Sequence, residues 1–214
     1  MAKKKIEEIY KEMDELTHIL ERPGMWVGSV KEEQKQMFLY DTEAKVMELK
    51  EVTYIPAMLK VIDEVISNSC DEYRRSTNMG LNKLNVTLSS DGWIEVKDNG
   101  GIPIVMHSSA GCYIPEFIFG RLRTSSNYND DEDRNVIGTN GVGSALANVF
   151  SKKFIIESAD NKNKFHRTWK DNMRTVCDDL TIEKCSDHFT STKLWLDFKR
   201  FDTKEKTFTS DFID

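Results

Sequence analysis

Three side chains with the right chemistry for water activation and metal binding lie in the run VIDEVISNSCDEYRR. Glu64, Asn68 and Asp71 are spaced i, i+4 and i+7, which places them on one face of a helix. A carboxylate such as Glu64 can accept a proton from water. An amide oxygen such as that of Asn68 can bind a Mg²⁺ ion whose other ligands are phosphates and waters. The alternative, which the spacing alone favours, is the solvated face of an amphipathic helix.

A second candidate group lies in the run VKDNGGIP. Asp98 ends a predicted strand, and the glycines that follow allow the chain to turn sharply. A carboxylate in this position can accept a hydrogen bond from an exocyclic amine such as that of adenine. The alternative is that Asp98 bonds only to the backbone of its own turn, which is the commonest use of an Asp-Asn-Gly sequence.

The third group is a glycine-rich run, VIGTNGVGSALANVF, that leads into a predicted helix. The backbone N–H groups of residues 139–144 can surround an anion there, aided by the helix dipole. The G-x-x-G-x-G spacing differs from the dinucleotide fingerprint and from the Walker loop, and no lysine follows it. The alternative is a tight helix entry without a ligand.

The elements that must position these groups follow from hydrophobic periodicity. A helix is predicted from about Pro56 to Thr77, and a hairpin from LNVTL and WIEVK around the turn SSDG. A short helix is predicted in PEFIFGRL, and further strands in KFIIES, KFHRTW, LTIEK and TSTKLWLDF. The predicted fold class is therefore α+β, a two-layer sandwich with helices on one face of a mixed, mostly antiparallel sheet.

Composition sets limits on the function. A hydrophobic content of 39% and a charged content of 31% are typical of a globular protein, and no apolar run is long enough to span a membrane. The four cysteines have no metal-site spacing, which predicts reduced thiols and a cytoplasmic location, in the host if the protein is viral. A net charge of −6 argues against strong DNA binding by this chain alone.

The order and spacing of the three groups resemble those of the GHKL (Bergerat) ATPases. The turn at Asp98 lies 27 residues after Asp71, and the glycine run begins 40 residues later. The segments HILERPGMWVGS and IPEFIFGRLRTSSNYNDDEDRNVIGTNGVGSALANVFS resemble type IIA DNA topoisomerases, and SSNY is closer to the eukaryotic enzymes than to bacterial gyrase. The short N-terminus favours the large subunit of a T-even-type phage enzyme.

The resemblance implies a site for ATP and Mg²⁺. It makes Glu64 the general base, Asn68 the metal ligand and Asp98 the contact to the nucleotide base. It also implies that Tyr10 reaches across a dimer to the partner's nucleotide, although a core aromatic on a short helix is the alternative. The other nucleotide contacts that it implies are Asp71, Ile102, Pro103, Ser125, Ser126, Asn127, Gly138, Thr139, Asn140, Gly141, Val142, Gly143, Ser144, Ala145 and Thr192.

Three departures from the family pattern bear on nucleotide affinity and turnover. The turn DNGGIP is one residue shorter than the family's D-x-G-x-G-I-P, and it lacks the basic residue often found between those glycines, which could pair with a carboxylate such as Glu72. Thr139 and Ala145 stand where eukaryotic relatives carry Arg and Lys, so we expect weaker phosphate binding. The run TFTSDFID resembles the start of the transducer domain, which supplies a further lysine, so we expect this chain to bind ATP with little turnover.

The resemblance also implies a domain organisation and partners. Residues 1–25 are expected to form an N-terminal arm with dimer contacts, residues 26–201 the ATPase domain, and residues 202–214 the start of the transducer. ATP binding is expected to close a homodimer, and the full enzyme to engage duplex DNA and other topoisomerase subunits, without a membrane. The alternatives are a chaperone-type or mismatch-repair-type GHKL ATPase, and a non-catalytic nucleotide-sensing dimerisation module.

Overall fold

The structure is a computed structural model that describes residues 12–75, 81–122 and 143–208. Its α-helices within these ranges are α1 (Glu15–Glu21), α2 (Pro56–Arg75), α3 (Ile114–Gly120) and α4 (Gly143–Val149), with short 3-10 helices at Pro23–Met25 and Phe198–Arg200. Its strands are β1 (Glu33–Asp41), β2 (Val46–Tyr54), β3 (Leu84–Leu88), β4 (Trp93–Asp98), β5 (Ser151–Asp160), β6 (Asn163–Lys170), β7 (Thr175–Val176), β8 (Thr181–Lys184) and β9 (His188–Leu196). None of the described helices is long and apolar enough to cross a membrane.

Seven of the strands form one sheet in the order β3-β4-β9-β5-β6-β7, with β8 also paired to β6. Each of these pairings is antiparallel. The parallel contact in the described part of the chain is an isolated bridge between Lys31 and Asp202. The predicted α+β class with a mostly antiparallel sheet is confirmed, and the strands predicted from residue 84 onward are all present.

The two faces of the sheet differ in what covers them. On the inner face, Ile94, Val96, Phe154, Ile156, Leu194 and Leu196 are buried. They share one core with Val61 and Val65 of α2 and Leu146 of α4. The outer face carries polar and aromatic side chains instead, and Lys193 Nζ lies 3.6 Å from the centre of the Trp93 ring. The site described below lies on the inner face.

Helix α2 begins at Pro56, whose missing N–H costs nothing in the first turn of a helix. Met58 and Val65 are buried in the core, as their helical spacing predicts. Leu59 and Tyr73 share that spacing but are 51% and 57% exposed. The predicted end at Thr77 lies outside the described residues, and the described helix ends at Arg75.

Strands β1 and β2 form a separate two-stranded hairpin that the sequence analysis missed. Its turn, DTEAK, is closed by the Asp41 carboxylate, which accepts hydrogen bonds from the N–H groups of Glu43 (2.9 Å) and Ala44 (2.7 Å). Lys45 takes the left-handed conformation, with φ at 56°. The apolar side chains on one face of the hairpin, each more than half exposed, are Phe38, Tyr40, Met47 and Leu49.

Candidate nucleotide site

Three elements bring together the described part of the predicted site. Glu64 and Asn68 lie in the middle of α2, Asp98 is the last residue of β4, and Gly143 is the first residue of α4. Nine of the predicted contacts fall outside the described residues. They lie on the N-terminal arm, in the segment SSN and in the glycine run, and are Tyr10, Ser125, Ser126, Asn127, Gly138, Thr139, Asn140, Gly141 and Val142.

Glu64 and Gly143 are in direct contact. A Cβ atom added to Gly143 would overlap Glu64 Oε2, so a side chain at this position would displace the carboxylate. The Glu64 side chain keeps 18% of its surface exposed. The last glycine of the predicted phosphate loop therefore lies against the predicted general base.

Lys60 is a neighbour of Glu64 that the sequence analysis missed. Its Nζ lies 2.6 Å from Glu64 Oε1, one helical turn away. The hydrogen bond to Glu64 raises the pKa of Lys60 above its ordinary value, so the ammonium group stays charged. A Lys–Glu pair at i, i+4 is a recognisable helical signal that could have identified this contact. The ion pair restricts the orientation of the Glu64 carboxylate.

Asn68 has an unpaired buried atom. Its Nδ2 has no hydrogen-bond partner among the described residues, although the atom is shielded from solvent. An unpaired buried amide is costly unless a ligand completes its hydrogen bonding. No cluster of three or more His, Cys, Asp or Glu suited to a metal occurs in residues 12–75, 81–122 and 143–208. The unpaired Nδ2 is a donor, so it fits an acceptor such as a phosphate oxygen, while a Mg²⁺ ion would be bound through the Asn68 Oδ1.

Asp98 is bonded to both its own turn and helix α2. Its Oδ1 accepts a hydrogen bond from the N–H of Gly100 (2.8 Å), and its Oδ2 accepts one from the Ser69 hydroxyl (2.6 Å). Asp98 as a whole residue is 7% exposed. Burial raises the pKa of Asp98 above its ordinary value, and the nearby Glu72 acts in the same direction, while the two hydrogen bonds oppose it. Each oxygen keeps a lone pair for a further donor.

The remaining predicted contacts in the described ranges differ in accessibility. Asp71 and Thr192 are buried. Thr192 pairs with Val96 of β4, which lies on the inner face and precedes Asp98 by two residues. Ile102 is half-buried and Pro103 is exposed. On α4, Ser144 is half-buried and Ala145 is 1% exposed.

The polar face of α2 is not a solvated surface. Asp71 is 3% exposed, Asn68 is half-buried, and α4 begins against Glu64. The alternative of an ordinary amphipathic helix is therefore wrong for these residues, because their polar side chains point into the molecule. Ser69, which the sequence analysis missed, joins this face to Asp98. The sequence around Ser69 gives no signal of this contact, because Asp98 lies 29 residues further along the chain.

Comparison with known proteins finds DNA topoisomerase 2 of several organisms among the relatives of this chain, although no family model matches it. DNA topoisomerase 2 of Saccharomyces cerevisiae is 39% identical over 201 residues, which cover 92% of this chain and 14% of the relative. DNA topoisomerase 2 of Penicillium chrysogenum is 42% identical over 172 residues, which cover 78% of this chain and 11% of the relative. The chain thus spans less than one sixth of the length of these relatives.

Solved structures agree with these sequence matches. The ATPase region of Saccharomyces cerevisiae topoisomerase II superposes with a TM-score of 0.89 at 35% identity, covering 96% of this chain and 55% of that one. The ATPase and transducer domains of DNA topoisomerase II from Balamuthia mandrillaris give a TM-score of 0.89 at 34% identity, covering 94% and 53%. By fold and by sequence, the chain belongs with the ATPase domains of type II DNA topoisomerases.

Proposed function

We propose that this chain binds ATP with Mg²⁺ and forms the ATP-operated gate of a type II DNA topoisomerase. The observation that carries the proposal is the convergence of Glu64, Asn68 and Asp98 on the inner face of the sheet, beside the first residue of α4. In the intact enzyme, nucleotide binding would favour the closed dimer over the open form and so couple ATP to DNA strand passage.

Each residue has a distinct role in this proposal. Asp98 accepts a hydrogen bond from the adenine amine through a lone pair that Ser69 and Gly100 leave free. Glu64 accepts a proton from the water that attacks the γ-phosphate, and Lys60 keeps the carboxylate oriented toward it. A Mg²⁺ ion held through the Asn68 oxygen would supply charge neutralisation on the phosphates.

The organisation of the chain and its partners are part of the same proposal. We infer an N-terminal arm over residues 1–25, an ATPase domain over residues 26–201 and the start of a transducer over residues 202–214. Ile19 and Phe208 pack into the same core as the sheet. The three segments therefore differ in their proposed function but do not form separately packed units. We further propose a homodimer, partner topoisomerase subunits, duplex DNA as the substrate of the full enzyme, a cytoplasmic location and a T-even-type phage source.

A calorimetric titration with a non-hydrolysable ATP analogue, with and without Mg²⁺, tests the proposal. We expect Mg²⁺-dependent binding near one nucleotide per chain. Asn68→Ala should weaken binding in Mg²⁺ by roughly tenfold or more, because a bond to a charged group contributes about 1.5–3 kcal/mol. The same variant should bind the analogue without Mg²⁺ as the wild type does.

Asn85→Ala is the matched control, because Asn85 lies on the exposed strand β3 away from the site. It should bind like the wild type. Retention of full Mg²⁺ dependence by Asn68→Ala would contradict the metal assignment, and no binding by the wild-type chain would contradict the proposed function.

A further inference from the structure

The turn that follows Asp98 is held in place by side chains. Residue 103 is a proline without an N–H, and every other backbone N–H from residue 100 to residue 104 donates to a side-chain atom. These bonds are Gly100 to Asp98 Oδ1 (2.8 Å), Gly101 to His188 Nε2 (3.2 Å), Ile102 to Ser158 Oγ (2.9 Å) and Ile104 to Asp160 Oδ2 (3.0 Å). Each backbone N–H group of residues 100–104 is thus held by a hydrogen bond to a side chain.

Four of the side chains that bond this turn form a compact block on two neighbouring strands. Ser158 on β5 pairs across the sheet with Thr190 on β9, and Asp160 pairs with His188. We call these four residues the anchor block. Thr190 donates its hydroxyl to the Gly100 carbonyl (2.8 Å), and its oxygen lies 3.1 Å from Ser158 Oγ. The block therefore binds carbonyl groups of the turn as well as N–H groups.

His188 uses both of its ring nitrogens on the turn. Its Nδ1 lies 3.0 Å from the carbonyl oxygen of Asn99, and its Nε2 lies 3.2 Å from the N of Gly101. A carbonyl only accepts and a backbone N–H only donates, so Nδ1 carries the ring proton and Nε2 has none. One neutral tautomer satisfies both bonds, and the ring spans the residues on either side of Gly100.

The turn has no spare room against this ring. A Cβ atom on Gly101 would overlap the carbonyl oxygen of Ala159 and would lie 2.8 Å from His188 Cδ2.

The Asp160 carboxylate, which accepts a hydrogen bond from the N–H of Ile104, keeps its negative charge. Burial alone would raise the pKa of Asp160, but the N–H groups of Ile104, Asn163 and Lys162 together hold that pKa below its ordinary value.

We propose that His188 is a positioning residue for recognition of the nucleotide base, an inference that rests on the proposed ATP-binding function. The imidazole sets the position of Gly100 by bonding both of its neighbours, and Gly100 in turn holds Asp98 Oδ1. His188 thereby orients the carboxylate that accepts from adenine. It also accounts for how a turn one residue shorter than the family pattern keeps its shape, because the side chain bridges the turn from outside.

The test compares base selectivity in variants of His188, using non-hydrolysable analogues of ATP and GTP in the same calorimetric assay. His188→Ala should weaken binding of the ATP analogue by roughly tenfold and lower the preference for adenine over guanine, because Asp98 loses its fixed orientation. His188→Gln should restore most of both, since its amide offers one donor and one acceptor. His166→Ala, on the outer face of the same sheet, is the control and should keep the wild-type preference.

If His188→Ala fails to fold, His188→Leu replaces it, because leucine has a similar volume to histidine but forms no side-chain hydrogen bonds. The preference for adenine in His188→Leu is then compared with that in His188→Gln. A wild-type preference for adenine in His188→Ala or His188→Leu would overturn the inference. So would equal losses for both analogues with no recovery in His188→Gln, because that pattern indicates general damage to the fold. Failure of the wild-type chain to bind either analogue would instead contradict the proposed function.

Discussion

Asp98→Asn should lose nucleotide binding by about 10- to 150-fold and yet raise the thermal stability of the chain at neutral pH. The loss corresponds to about 1.5–3 kcal/mol, the contribution of a hydrogen bond to a charged group. The asparagine oxygen can still accept from the N–H of Gly100, while its NH₂ group faces Ser69. In the proposed contact the adenine amine donates to Oδ2, the position that the NH₂ group takes in Asp98→Asn, so two donors meet there and the base binds less tightly although the turn is intact.

The gain in stability follows from the direction of the Asp98 pKa shift. Burial raises the folded-state pKa above its ordinary value, so the folded state binds the proton more tightly than the unfolded state does. The stabilisation is therefore complete below the unfolded pKa and is lost as pH rises through the folded pKa. At pH 7 the ionised carboxylate lowers the free energy of unfolding, and a neutral amide of the same shape avoids that cost.

Thermal denaturation at neutral and acidic pH checks this prediction together with the nucleotide titration. For a chain of this length, a gain of about 1 kcal/mol moves Tm by ~2–4 °C. The difference in Tm between Asp98→Asn and wild type should shrink as pH falls through the folded pKa of Asp98. Asp91→Asn, in the exposed turn between β3 and β4, serves as the control. A lower Tm at pH 7 with undiminished nucleotide binding would contradict both parts.

Glu64→Gln should reduce ATP hydrolysis by roughly 10²- to 10⁴-fold while leaving nucleotide affinity unchanged. Glutamine has the size to fit against Gly143, and its amide oxygen can accept from Lys60, but it does not take a proton from water at neutral pH. Hydrolysis is best followed with protein in excess over ATP, in a single turnover, because this measures the chemical step without product release.

Asp63→Asn is a closely matched control for this experiment. Asp63 is adjacent to Glu64 and its Oδ2 also lies 3.7 Å from Lys60 Nζ, but its side chain is 54% exposed. Its neutralisation should leave hydrolysis within a fewfold of wild type. Equal hydrolysis by Glu64→Gln and wild type would rule out the general-base role, whereas nucleotide binding without any hydrolysis by the wild type would favour a nucleotide-sensing module. A parallel loss of affinity would assign Glu64 to binding.

The sequence predicted those parts of the fold whose periodicity reports burial directly. The run TSTKLWLDF alternates because one face of β9 is in the core, and α2 was recognisable from the spacing of Met58 and Val65. The hairpin β1–β2 was missed because its turn, DTEAK, has no Gly, Pro or Asn, and because neither strand buries a face in the core. Without burial there is no selection for the alternation that identifies a strand.

The candidate site residues in the described ranges were predicted from motifs, whereas the residues that support them depend on contacts between distant parts of the chain. Ser69 and Asp98 are 29 residues apart, and Gly101 and His188 are 87 residues apart. Nothing local in the sequence near His188 indicates that its ring faces a turn from the first half of the chain. The contact of His188 becomes visible only when the antiparallel pairing of β4 and β9 is known, because that pairing sets Asp98 opposite Thr190.

The hairpin β1–β2 also affects how the chain opens. Its strands pair with each other and contribute no side chain to the buried core of the described residues, and an isolated two-stranded hairpin is marginally stable in water. Opening it therefore costs only its own local free energy, far less than separating β5 from β9. Amide hydrogens of residues 33–54 should exchange with solvent by local fluctuation, while those at the centre of the large sheet should exchange only through global unfolding. We therefore expect two cooperative units, with a single unfolding free energy describing only the larger of them.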